Sequence, residues 1–426
     1  MAFFTQHSGL DWGVVGVFAL VYVGMFLGGL PTLQLNRAGV ALLGAIAVIG
    51  LGAVTVEEAA RAVDLPTILL LFSFMVVAAQ MRLGGFYTAT VHWLGARSWS
   101  PMLLLGGLLG LAAALSAVFS NDVICLAMTP VVARLCLRRG WPPVPYLVGL
   151  ACAANIGSAA TLIGNPQNML IGAVLKLSFA EHLRQAWPPV VLSLGLLWLC
   201  LWGVMLRDRA AASAPVLPPT SAPTPAADAD EPPFDRGQTL KGLLVAGAVL
   251  VAFLGTNGPH EVVALVAAGV LLLSRRFHSS HVMGFVDWEL LVLFMGLFVV
   301  NHAFERTGLA AQAVAALAAQ GVVLGETGPL FAAGLLLSNV VSNVPAVMLL
   351  LPHLHGQDPA VAGLTLALVS TFAGNLLLVG SIANLIVADL AAQQGIRIDW
   401  RSHARIGVPV TVLSLGVVAA WLRWGV

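Results

Sequence analysis

The stretch SNDVICLAMTP (residues 120–130) recurs 222 residues later as SNVPAVMLLLP (342–352), a Ser-Asn pair with a proline ten residues on, and both copies lie inside apolar segments. The surrounding windows, 101–136 and 328–356, each supply two short apolar arms that meet at the Ser-Asn. A polar tip at membrane depth leaves backbone groups unpaired, which is tolerated only where they face protein or a water-filled cavity. Both windows are therefore expected to be re-entrant hairpins that enter and leave a membrane by one side.

Outward from the tips, each hairpin precedes a long apolar region with a polar, glycine-rich interruption. The first, within 143–176, reads Asn155-Ile156-Gly157-Ser158, then Thr161, then Gly164-Asn165-Pro166-Gln167-Asn168. The second, within 361–390, reads Gly374-Asn375 and Gly380-Ser381-Ile382-Ala383-Asn384. Each is one span broken in the middle. Uninterrupted windows near the length a bilayer requires, about 20 residues, run near 11–30, 37–54, 66–82, 188–206, 240–256, 259–274, 288–303 and 406–424. The reading is an all-α integral membrane protein of about ten spans and two hairpins. Its halves, 1–206 and 240–426, each hold five spans, one hairpin and one broken helix. Five crossings is an odd number, so the second half is inverted relative to the first. Broken helices in corresponding positions of inverted repeats mark a transporter's substrate site. Residues 207–239, with APTP and DADEPP, read as a flexible aqueous linker.

Composition excludes the other broad classes. With 59% hydrophobic and 9% charged residues, the chain is far from soluble domains, in which about a quarter of residues are charged. A net charge of +1 offers nothing to a nucleic acid. No lysine or arginine precedes Arg37, so the first apolar run is expected to remain as a span rather than act as a signal peptide. Cys125, Cys136, Cys152 and Cys200 have no CxxC spacing and read as packing residues. There is no Gly-Lys-Ser/Thr loop, no His-Glu-x-x-His and no paired acid and base, so neither an enzyme nor a cofactor is expected. Driving energy must come from an ion gradient, H+ or Na+, or from a partner chain. Of the 20 lysines and arginines, 15 fall on the side that receives the 31–36 turn. That bias makes this side cytoplasmic. A multi-pass inner-membrane protein with both termini outside and a cytoplasmic linker is expected.

At a hairpin tip one helix ends and another begins, so free N–H groups and a positive helix end point into the cavity. Ser120, Asn121, Ser342 and Asn343 are accordingly candidate site residues. With them stand Asn155, Gly157, Ser158, Thr161, Gly164, Asn165, Pro166 and Asn168 from the first break, and Gly374, Asn375, Gly380, Ser381 and Asn384 from the second. Hydroxyls, amides and accessible backbone of this kind suit a small anion, a hydroxylated neutral solute or a cation. Asp122 is the sharpest candidate, because an acid at membrane depth costs a few kcal/mol. It reads as the proton or cation relay, a role compatible with capping the following helix. Its counterpart is Val344.

At these residues the chain resembles the ion transporter superfamily, which includes divalent anion:sodium symporters, arsenite efflux permeases, silicon efflux transporters and certain sodium/proton antiporters. Residues Asn155 to Asn168 are similar to the first broken-helix motif of the arsenite and silicon efflux branch. The resemblance implies that hairpins and broken helices form an elevator-type transport unit moving against a dimerising scaffold, in contact with membrane lipid. Dicarboxylate symporters of the superfamily carry Ser-Asn-Thr at both tips and Pro-Pro-Asn in both breaks. Here Asp122, Val344, Asn165-Pro166-Gln167-Asn168 and Ser381-Ile382-Ala383-Asn384 stand instead. No arginine or lysine lies at a tip or break, and Asp122 would repel a dianion. The expectation is proton-coupled efflux of a small inorganic anion or oxyacid such as arsenous or silicic acid. A sodium/proton antiporter and a sodium-coupled dicarboxylate symporter are the alternatives, with sodium near Ser120, Asn121 and Gly157.

Overall fold

The computed structural model describes residues 8–30, 33–211, 233–256, 258–354 and 358–425. Most of the expected linker, 212–232, lies outside the described residues, while its two ends are helical.

The first half runs α1 (Gly9–Leu27), α2 (Arg37–Gly50), α3 (Val56–Ala62), α4 (Leu65–Leu83), α5 (Phe86–Gly95), α6 (Pro101–Phe119), α7 (Asn121–Arg138), α8 (Pro143–Ser158), α9 (Pro166–Leu175) and α10 (Phe179–Ala211). The second runs α11 (Arg236–Gly255), α12 (His260–Leu272), α13 (Ser279–Met283), α14 (Trp288–Arg306), α15 (Leu309–Ala319), α16 (Thr327–Val341), α17 (Asn343–Leu350), α18 (Pro359–Ala373), α19 (Ile382–Gln393) and α20 (Trp400–Trp424). Each helix thus has its counterpart ten helices later. Among the described residues the only strands are β1 (Gly29–Leu30) and β2 (Leu35–Asn36), paired antiparallel between α1 and α2.

Packing follows the repeat. Helix α2 lies on α14 as α12 lies on α4; α6 packs on α8 as α16 on α18; α7 meets α19 as α17 meets α9. Exchanging the halves therefore maps these pairs of contacts onto one another. The inversion shows in one ion pair: Glu58, just before α4, meets Arg306 at the end of α14 at 2.7 Å. The start of one helix lies beside the end of its counterpart, so the two run in opposite directions. Local chemistry repeats too. Asp64 caps α4 by accepting from the Thr67 N–H at 2.9 Å, and Asp287 caps α14 through Leu290 at 2.9 Å.

Seven helices are long and apolar enough to cross a membrane, α1, α4, α6, α10, α11, α14 and α20. The others fall short for definable reasons. The broken spans are divided between α8 and α9 and between α18 and α19. Helices α2 and α12 have 14 and 13 residues, about 21 and 20 Å at 1.5 Å per residue, against a hydrocarbon core of roughly 30 Å. The windows read as 37–54 and 259–274 are longer than these helices. Short helices α3, α5, α13 and α15 occupy what the sequence presents as connections.

The innermost elements are α8 and α18, buried throughout Pro145–Ser158 and Ala362–Ala373 respectively. Burial on all sides explains why neither shows an amphipathic pattern.

Each hairpin turns on a single residue. Ser120 separates α6 from α7 with φ 72° and ψ 136°, and Ser342 separates α16 from α17 with φ 75° and ψ 163°. Only four non-glycine residues among those described have positive φ, and two are these tips. A side chain in this region costs of order 1–3 kcal/mol, and a branched Cβ is tolerated least. Ser342→Gly is expected to melt at or above the wild-type temperature in detergent, and Ser342→Val well below it. Equal melting of the two would show that the tip is not under this constraint.

Candidate functional site

The helix breaks are shorter than the polar stretches suggest. Asn155, Gly157 and Ser158 form the last turn of α8, and the α-helix is interrupted over 159–165 and 374–381, the second interruption holding a short 3-10 turn at Leu378–Gly380. Local residues hold these segments in matching ways. The Asn168 amide donates to the Thr161 carbonyl at 2.9 Å, and that of Asn384 to the carbonyls of Gly374 and Leu377 at 2.8 and 3.1 Å. Nε2 of His182 lies 3.2 Å from the Ala159 carbonyl, and Nε2 of His403 lies 3.0 Å from that of Asn375. Both histidines are buried. In this way carbonyls freed by unwinding recover partners, as membrane depth requires.

Asn155 ties the halves together. Its Oδ1 accepts from Asn121 Nδ2 at 2.8 Å and from the Ser381 hydroxyl at 3.2 Å, and its Nδ2 donates to Asn375 and Asn384 at 2.9 and 3.2 Å. The reciprocal contact comes from the first break, where Asn165 Nδ2 donates to Ser158 at 2.9 Å and, across to α18, to Thr371 at 3.3 Å. Gln167 adds a bond to Thr371 at 3.2 Å. The first tip is anchored by the Asn121 N–H, which donates to the Gly164 carbonyl at 3.0 Å. Thr161 bonds the Ala117 carbonyl on α6 at 2.5 Å. Glycines make the close approach possible: a Cβ on Gly157 would meet the Ala113 backbone at 2.3 Å, and one on Gly164 the Ser158 carbonyl oxygen at 2.1 Å. At the second break the room is larger, with Gly380 clearing the Gly374 carbonyl by 3.0 Å and Gly374 clearing the Asn343 amide by 3.0 Å.

In front of this network lies a cavity of about 30 Å³, where the two tips meet the surrounding helices. Of the sequence candidates, Asn121, Asp122, Pro166, Ser342, Asn343 and Ser381 line it. Asn155, Ser158, Thr161, Asn165, Asn168, Asn375 and Asn384 stand behind, and Gly157, Gly164, Gly374 and Gly380 shape the backbone. Ser120 lines instead a neighbouring cavity of about 100 Å³ with Asp122, Phe285 and Asp287. Asp122 thus borders both spaces. It lies half-buried in the first turn of α7, where a helix start favours negative charge, and its carboxylate has no hydrogen bond among the described residues. The side-chain oxygens of Asn121 and Asn343 are also buried without partners.

Two contributors escape the sequence reading. Gln167 reaches the cavity from within the first motif. Arg37 reaches it from α2, its Nε buried and unpartnered. The absence of basic residues at the tips and breaks therefore does not extend to the cavity. The sequence shows Arg37 only as the first residue of an apolar window; that α2 ends at Gly50 is seen in the structure. Among the described residues no three His, Cys, Asp or Glu side chains cluster as metal ligands, and the four cysteines are free.

Comparison with known proteins agrees with this architecture. The chain is 31% identical to the silicon efflux transporter LSI3 of Oryza sativa subsp. japonica, over 94% of this chain and 95% of that protein. It is 29% identical to an uncharacterized transporter of Mycobacterium tuberculosis, over 95% and 99%. The crystal structure of the Alcanivorax borkumensis YdaH transporter superposes with a TM-score of 0.62 over 98% of both chains at 16% identity, a likeness of fold. The profile described as citrate transporter matches residues 18–373. By that match the chain belongs to the citrate transporter family, and it is a multi-pass membrane transporter.

Proposed function

We propose that the protein moves a small undissociated oxyacid of the silicic or arsenous type out of the cell in exchange for protons. The observation that carries this reading is the pair of buried, unpartnered side-chain oxygens on Asn121 and Asn343, both bordering one small cavity. A buried acceptor without a partner costs about 1–3 kcal/mol, so the favoured occupant is one that brings donors. An undissociated oxyacid has several O–H groups; fully ionised succinate has none, and fully ionised citrate only its single alcohol. Arg37 and Asp122 oppose each other in sign, so the cavity offers a polyanion little net attraction. Its volume of about 30 Å³ has room for roughly two or three waters at about 10–15 Å³ each, far less than a tricarboxylate needs.

Asp122 supplies the coupling. Ionised, it accepts an O–H from the solute; protonated, it is a weaker acceptor, so proton and solute compete for one carboxylate. The unit formed by α6–α9 and α16–α19, joined through Asn155, carries Asp122 and both tips. It packs against α4 and α14, and sliding along that surface would expose the cavity to each side in turn, an elevator motion. The 31% identity to a silicon efflux transporter supports the solute class. The placement of 15 of 20 basic residues supports a cytoplasmic linker. The test is flux of germanic acid, arsenite, citrate and succinate into proteoliposomes under imposed pH or sodium gradients. Germanic acid or arsenite driven by the pH gradient is expected; sodium-driven citrate or succinate uptake without proton dependence would overturn the reading.

A further inference from the structure

One face of α14 borders three cavities in succession. Asp287, its cap, and Leu290 line the space shared with Asp122; Leu290 and Leu293 line the space between the tips; Asn301, His302 and Glu305 line a third, of about 180 Å³. These positions advance mostly by three or four residues, the spacing of one helix face. The far wall of the third cavity is apolar, with Leu170 and Val174 of α9 opposite Met348 and Leu351. Its polar side chains all come from α14. A void of that size holds several waters, since one needs only about 10–15 Å³. Tyr22 of α1 donates to Asn301 at 2.9 Å and fixes α14 at this level. Neighbouring Arg306 is engaged with Glu58, and Glu305 has no ion pair among the described residues.

We propose that this third cavity is a proton-exchange station on the membrane side opposite Asp287, with His302 and Glu305 as its proton acceptors. The inference rests on the proton-exchange reading above. Asp122 is exposed to each side in turn, and its proton exchange is served by protonatable groups in contact with water on both sides of the tips. Asp122 and Asp287 supply them on one side. Beyond the apolar stretch from Leu293 to Phe298, His302 and Glu305 are the first such groups α14 presents on the other. Imidazole and carboxyl groups are the usual proton-transfer side chains. The titratable and charged groups on the packed elements are Asp11 and Tyr22 on α1, Arg37 on α2, Glu57, Glu58 and Arg61 on α3, Asp64 before α4 and Arg82 within it, Lys176 after α9 and His353 after α17; α15 has none.

Two measurements on the full-length protein in sealed, oriented proteoliposomes test this. With germanic acid as probe, His302→Gln/Glu305→Gln is expected to slow pH-driven net flux roughly tenfold, while germanic acid counterflow, which moves no net proton, keeps most of its rate. Equal loss in both modes, or in neither, would overturn the station. Wild-type protein in the same assay reports separately on the exchange reading. Independently of any solute, the cysteine of His302→Cys should react only with a charged, membrane-impermeant methanethiosulfonate added on the side opposite Asp287, as mapped by peptide mass spectrometry. Modification from the Asp287 side, or from neither, would contradict the assignment.

Discussion

Asp122→Asn is expected to leave a folded protein in which proton-driven solute movement falls by on the order of 100-fold, the range for loss of a proton-transfer group. The side chain keeps its shape and loses only its titration. Folding does not depend on the charge, because the carboxylate caps nothing: it has no hydrogen bond among the described residues, and the helix start that favours it is worth at most about 2 kcal/mol. Removing a charge from membrane depth recovers a comparable few kcal/mol, so melting should change little. Counterflow of solute alone should survive better than net flux, since the asparagine still offers an acceptor oxygen. Net flux with unchanged pH dependence in Asp122→Asn would move the coupling elsewhere.

The second large effect is steric. Gly164→Ala places a methyl carbon 2.1 Å from the Ser158 carbonyl oxygen, and Gly157→Ala places one 2.3 Å from the Ala113 backbone. In both cases the obstacle is main chain, which cannot rotate away. Overpacking of this kind costs typically 1–3 kcal/mol and more where backbone must move. Each change is therefore expected to lower melting sharply or to abolish expression of folded protein. Gly110→Ala, on α6 with nothing within 4 Å of its Cβ position, should be neutral or stabilising by up to about 1 kcal/mol. At the second break the same substitution is milder, because Gly380 has 3.0 Å of clearance. Comparable melting of Gly164→Ala and Gly110→Ala would mean that the first break is looser than described.

The architecture was legible because membrane depth makes polar residues costly, so each Ser-Asn or Gly-Asn in an apolar run announces a tip or a break. The pairing of individual asparagines was not. The tips repeat at a spacing of 222, but the breaks repeat at 216, matching Asn168 to Asn384 and Asn165 to Ser381. Six residues lost between the second hairpin and its broken helix hide this register. Arg37 was read for which side of the membrane it marks, and its place in the cavity follows from the shortness of α2, a matter of three-dimensional packing. Helices α3 and α13 are only 7 and 5 residues long, too short for hydrophobic periodicity to distinguish from connections.

The central claim is that solute binds between the two hairpin tips. Anomalous diffraction at the arsenic edge, from crystals of the full-length protein grown with arsenite, locates the heavy atom without assumptions about function. The account predicts a single peak within hydrogen-bonding reach of the Asn121 and Asn343 side-chain oxygens, bordered by Asp122 and lost in Asn121→Ala/Asn343→Ala. A peak held instead by cysteine sulfur, or placed away from both tips, would contradict it.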